Sequence, residues 1–118
     1  MSAEWIKEHC LSLKGAVEEV QWETSLLYKV GGKMFVIASM LQTSQLLLSL
    51  KADPEAFAEL TEREGIIPAP YLARNKWIAI ERTAKIKPAE VRELINRSYS
   101  LVAAKLPRKV KNELGLES

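Results

Sequence analysis

The sequence predicts an α+β fold: a compact two-layer sandwich, mainly antiparallel sheet with helices packed on one face, in the order α-β-β-β-β-α-β-α. Three observations carry this reading. Two β-rich runs, Leu26 to Val30 and Lys33 to Ala38, flank Gly31-Gly32. Paired glycines between such runs signal a two-residue hairpin, because both turn positions can take φ > 0. Near the C-terminus Val91, Leu94, Ile95, Tyr99, Val102, Ala103 and Leu106 recur at helical spacing and form one apolar stripe. The strand-like runs are grouped before the second helix instead of alternating with helices, which favours antiparallel pairing.

Ser2 is placed to cap a first helix with Glu4 in its opening turn. Trp5, Ile6, Cys10 and Leu13 give that helix its apolar side, and Gly15 suits its stop. A strand is predicted over Val17 to Glu23, with Val17, Val20 and Trp22 as its apolar members. The hairpin follows, then a polar loop from Ser39 to Ser44, then a strand over Gln45 to Lys51. Asp53-Pro54-Glu55 reads as a helix start: a cap, a proline at the first helical position and an acid in the first turn. Phe57 and Leu60 share one face of this helix, and Gly65 ends it. Pro68 and Pro70 mark Ile66 to Arg74 as irregular. Trp77 to Glu81 is a strand, Pro88 opens the last long helix, and Pro107 breaks it. A short basic tail with Val110 and Leu114 has room for one or two helical turns.

A length of 118 residues fits one domain over 1–118 with one core. No apolar run approaches the roughly 18 residues a membrane span needs. The acidic N-terminus MSAEWIKEHC does not have the pattern of a secretory signal. The single Cys10 cannot form an internal disulfide, which suits a cytoplasmic location. Charge is uneven along the chain. Residues 1–84 hold nine Lys/Arg against eleven Asp/Glu, a net of −2, and residues 85–118 hold eight against four, a net of +4. Lys105, Arg108, Lys109 and Lys111 crowd into seven positions. Such a cluster attracts phosphate backbones, or else decorates a solvated helix end where the macrodipole favours cations.

Catalytic machinery is sparse. His9 and Cys10 are neighbours on the first helix and project roughly 100° apart, so they do not form a nucleophile pair. Cys10 reads as a small buried hydrophobe and His9 as a boundary residue. One His and one Cys are too few for a zinc site. Alternation puts Glu19 and Glu23 on one sheet face and Glu18 on the other, the pattern of a solvated sheet. Gly31-Gly32 lacks the lysine and following helix of a phosphate loop. Neither a catalytic residue, a metal nor a cofactor is therefore predicted.

Binding residues are more plentiful. Trp22, Tyr28, Tyr71 and Trp77 lie on or beside strands, together with Lys29, Lys33, Arg74 and Lys76. Aromatics interleaved with cations can stack bases and hold phosphates. Asn75 suits a base edge or a turn. Against this, Trp77 opens an apolar strand and is expected in the core, and Tyr71 has prolines to pack over.

The series YKVGGKMFVIA, LKADPEAFAEL, IIPAPYLARNKWIAIE and VRELINRSYSLVAAKLPRKV resembles the MmcQ/YjbR family of small bacterial proteins over nearly the whole chain. Its most specific pieces are Gly32-Lys33-Met34-Phe35, the segment Tyr71 to Trp77, and Ser98-Tyr99 followed by Lys105-Leu106-Pro107. The resemblance implies a compact α+β sandwich and, by analogy with a double-wing arrangement, DNA binding. It brings no catalytic residues. Many members are richer in Lys, Arg or His between Tyr71 and Trp77; this chain has Leu72 and Ala73 there, which implies weaker phosphate binding.

The leading expectation is a non-enzymatic protein that binds double-stranded DNA, mainly through phosphate. Its candidate contacts are Lys29, Lys33, Tyr71, Arg74, Lys76, Lys105, Arg108, Lys109 and Lys111. The alternatives are a protein-interaction or chaperone-like adaptor that uses a sheet edge or face, and a small-ligand binder with a pocket near Tyr71 and Trp77.

Overall fold

The structure, a computed structural model, describes residues 1–21 and 24–116. The expected places of Trp22 and Glu23 at the end of the first strand lie outside them. The chain runs α1 (Ala3–Leu11), β1 (Ala16–Gln21), β2 (Ser25–Val30), β3 (Lys33–Ser39), β4 (Leu46–Lys51), α2 (Pro54–Thr61), β5 (Ile66–Pro68), β6 (Trp77–Glu81), α3 (Pro88–Ala104) and α4 (Arg108–Leu114). Six strands form one antiparallel sheet in the order β1-β2-β3-β4-β6-β5. The α+β class and the helices on one face are as the sequence predicts. Among the described residues no helix is long and apolar enough to cross a membrane.

Local chemistry explains most boundaries. Ser2 Oγ accepts from the Trp5 amide and caps α1. Gly31 and Gly32 take φ of 58° and 81° in the β2–β3 turn. Gly31 is also a close approach: a Cβ there would stand 2.6 Å from a Leu106 methyl. The hairpin tip therefore rests directly on the segment that leaves α3. Asp53 occupies the N-cap of α2, but its carboxylate makes no capping bond. It instead takes two bonds from Arg97 of α3, at 2.8 and 2.7 Å. Arg63, just past α2, holds Glu90 of α3 in the same two-pronged way, at 2.5 and 3.0 Å. These two pairs tie α2 to α3 and engage two of the protein's arginines.

Two elements depart from expectation. Ile66 to Pro68, expected to be irregular, form the edge strand β5 against β6. Pro68 ends that strand, and an edge tolerates a residue that has no N–H to give. β1 is the opposite edge, so Val17 and Val20, expected to be apolar members of the sheet, are exposed. Glu18, expected on a solvated face, lies partly buried and accepts from the Tyr28 hydroxyl at 2.9 Å.

The main core lies between the sheet and the helices. Ile6 and Cys10 of α1, Leu60 of α2, and Val91 and Ile95 of α3 meet Tyr28, Val36, Leu48, Leu50, Ile78 and Ile80. Strand alternation sends the intervening residues to the other face. Register aligns Leu27, Ile37, Ser49, Ala79 and Ile67 in one row across it. A second, smaller cluster forms there from Ala69, Trp77 and Ala79, flanked by Met34, Ile37 and Leu72.

A bulge shapes the end of this second face. Tyr28 pairs with Val36 and Lys29 with Met34, so Phe35 is the extra residue of β3. Phe35 turns into the main core, edge-on to Tyr99 at 5.3 Å. Pairing of β3 with β4 runs only from Ala38–Leu48 to Val36–Leu50. Beyond it the buried Ser98 hydroxyl stands in for the missing ladder. It donates to the Phe35 carbonyl at 2.6 Å and accepts from the Lys51 amide at 3.0 Å.

Burial pushes the Cys10 thiol up from 9.0 to about 12. Tyr28 is raised above its ordinary 10.0, first by burial and then by its bond to Glu18. Both groups keep their protons in the folded state where the unfolded chain would ionise. Their stabilising contribution is therefore complete below about pH 9 and fades as pH rises through the folded values. The urea midpoint should fall above about pH 9, and Cys10→Ala should flatten that fall. Native Cys10 that reacts with Ellman's reagent at neutral pH as fast as a free thiol would contradict the assignment.

Candidate functional site

Three segments far apart in sequence meet where β3 and β4 diverge. Lys33 and Met34 come from the start of β3, Leu72, Asn75 and Trp77 from the crossing into β6, and Leu101, Val102, Lys105, Leu106 and Pro107 from the end of α3. With Lys51 from the end of β4 they line a groove of about 300 Å³. Three lysines share this lining, and no Asp or Glu belongs to it. None of Lys33, Lys51 and Lys105 forms an ion pair among the described residues. The rest of the wall is mostly apolar. Such a lining offers uncompensated positive charge beside apolar surface.

The crossing from β5 to β6 is held by its own backbone. The Ala69 amide donates to the Trp77 carbonyl at 3.0 Å, and the Trp77 amide donates to the Leu72 carbonyl at 3.3 Å. Ala73–Asn75 make one turn of 3-10 helix between them. Tyr71 and Lys76, with φ of 65° and 66°, are the described non-glycine residues with positive φ. Lys76 directly follows this turn, and Tyr71 lies two residues before it. Left-handed backbone costs an ordinary residue about 1–2 kcal/mol, which the turn's hydrogen bonds and Trp77 packing offset. Trp77 itself is 5% exposed, in the core as expected. Tyr71, given prolines to pack over, packs on nothing: its relative exposure is 103%.

The sequence-predicted cations are not equivalent. Lys33 and Lys105 line the groove, joined by Lys51, which sequence reasoning missed. Arg74 is exposed one residue from Asn75. The Lys76 ammonium lies 5.1 Å from the centre of the Phe57 ring, a cation–π contact that directs it to α2. Lys29 pairs with Glu19 on the neighbouring strand, so part of its charge is neutralised. The basic run divides at Pro107. Lys105 caps the C-terminus of α3, where the macrodipole favours a cation. Arg108 and Lys109 open α4, where the dipole opposes them, and Lys111 follows in its last turn. The solvated-helix-end explanation thus covers Lys105 but not Arg108 and Lys109. Pro107 lines the groove, so α4 starts at its rim.

His9 and Cys10 stand apart from this groove. His9 Nε2 lies 2.8 Å from Asn96 Oδ1, its ring stacks on Trp5, and Cys10 is fully buried. Among the described residues no three His, Cys, Asp or Glu side chains gather as a metal site would require.

The architecture and sequence agree with those of known proteins. The family model YjbR matches residues 11–101. The uncharacterized protein YbdF of Escherichia coli O157:H7 is 30% identical over 84 residues, 70% of this chain and 68% of that protein. The crystal structure of Deinococcus radiodurans protein DR2400, with family-model domain DUF419, superposes with a TM-score of 0.86 at 27% identity, over 98% of this chain and 89% of that one. A Pseudomonas syringae protein superposes with a TM-score of 0.71 at 17% identity, over 86% of this chain and 98% of that one, a likeness of fold alone. The matched residues run from the end of α1 through most of α3 and carry the hairpin, the crossing and Trp77, so the chain belongs to the YjbR family.

Proposed function

We propose that the protein is a non-enzymatic DNA-binding protein that takes hold of phosphate at the end of the sheet. The observation that carries this is the acid-free groove with Lys33, Lys51 and Lys105 in one lining. Arg108 and Lys109 extend its positive rim onto α4, and Arg74 extends it along the β5–β6 crossing. Cations without an acidic partner position a nucleic-acid backbone without reading its sequence. Lys29 and Lys76 have lesser roles, because Glu19 and Phe57 already engage them.

Fluorescence anisotropy with a labelled random-sequence duplex tests the proposal. The double charge reversal Lys33→Glu with Lys105→Glu should weaken binding at every sequence. It should also lower the slope of log K against log salt by about 2, near 0.9 for each phosphate no longer neutralised. The control reverses Lys85 and Lys87, which lie before α3. That 17-residue helix separates Lys87 from Lys105 by about 25 Å. Equal losses from the two double variants would show diffuse attraction to net charge and remove the groove from the account.

A further inference from the structure

The groove is more apolar than phosphate binding requires. Met34, Leu72, Trp77 and Pro107 stand in the same lining as the three lysines. A stacked duplex presents phosphates and groove edges to a concave site, and its base faces stay inside. It would cover the lysines and leave the apolar wall wet. An unpaired nucleotide satisfies both halves, with its base against Met34 and Leu72 and its phosphate among the ammonium groups. The thioether of Met34 suits a π face. A volume of about 300 Å³ is at the lower end of ligand sites and matches one nucleotide unit rather than a length of helix. Beside it, joined to Leu72, Tyr71 holds a wholly exposed ring on left-handed backbone. An exposed aromatic one residue from the groove is placed to stack the next base.

From these observations we infer that the groove binds one unpaired nucleotide of a single strand, and that Tyr71 stacks its neighbour. This rests on the phosphate-binding reading above and adds a preference for single-stranded over paired nucleic acid. Charge complementarity and the apolar wall together select this occupant over a lone inorganic anion, which would use the lysines only.

The test compares a labelled thymidine oligonucleotide with a blunt duplex of the same length, at low salt. The single strand should bind more tightly. Met34→Gln with Leu72→Asn keeps the charge and makes the base-facing part of the wall polar; it should cost about tenfold for the single strand and clearly less for the duplex. Tyr71→Ala touches no packed surface, so it remains informative even if the groove variant folds poorly; it should lower single-strand affinity by a similar factor. Lys33→Glu with Lys105→Glu should weaken both ligands. Duplex binding as tight as the single strand, or no effect of Tyr71→Ala, would overturn the unpaired-nucleotide site while the lysine variant still upholds phosphate binding. Binding of neither nucleic acid at low salt would overturn both readings.

Discussion

Trp77→Ala should lower the free energy of unfolding by about 3–5 kcal/mol, the range for deleting a packed aromatic side chain. Trp77 opens β6 in the smaller cluster on the second sheet face, and it is 5% exposed. It shares a cluster with Ala69 and Ala79, against which Met34, Ile37 and Leu72 pack. The substitution also loosens the β5–β6 crossing, because Leu72 loses its packing partner while Tyr71 and Lys76 keep their unfavourable backbone. Urea unfolding followed by circular dichroism measures the change. A loss below about 1 kcal/mol would place the indole at the surface and dissolve the groove's inner wall.

Ser98→Ala should cost about 2–4 kcal/mol although it removes one oxygen atom, because each buried group left without a partner costs about 1–3 kcal/mol. The hydroxyl is fully buried and serves two backbone groups that have diverged from their ladder, the Phe35 carbonyl and the Lys51 amide. The effect reaches the groove, since Lys51 lines it and Lys33 and Met34 lie just before the Phe35 bulge. Ser98 is therefore a positioning residue. Its loss should weaken nucleic-acid binding under conditions where the variant remains folded by circular dichroism. Unchanged stability would mean that β3 and β4 can close their own gap.

Much of the fold was legible because it is written locally. The Ser2 cap, the Gly31-Gly32 turn, the stripe along α3 and the burial of Cys10 follow from residues within a few positions of one another. β5 was obscured by Pro68 and Pro70, since a proline argues against a central strand and the sequence does not say which strand is an edge. The pairing of Lys29 with Glu19 depends on register: Val17 faces Lys29 and Glu19 faces Leu27, which makes the two charges diagonal neighbours.

The groove was legible only in pieces. Lys33, Lys105 and the Tyr71 to Trp77 segment stand out in the sequence, but their meeting depends on where α3 ends over the hairpin. Lys51 does carry a local signal. In QLLLSLK, alternation puts Ser49 and Lys51 on one face and Leu48 and Leu50 on the other, so Lys51 had to leave the main core. It shares the lining with Lys33 just beyond the bulge at Phe35, and no local pattern announces that bulge. The exposure of Tyr71 was likewise a tertiary fact, set by a left-handed residue at the start of the turn.

The most direct test of the groove as the binding site is amide chemical-shift mapping of isotopically labelled protein, titrated with a short thymidine oligonucleotide at low salt. The largest shifts should gather at Lys33, Met34, Lys51, Leu72, Asn75 and Lys105, with Tyr71 beside them and the N-terminal half of α3 unmoved. Shifts spread evenly over the molecule's lysines and arginines, or centred on the β1 edge, would contradict that assignment.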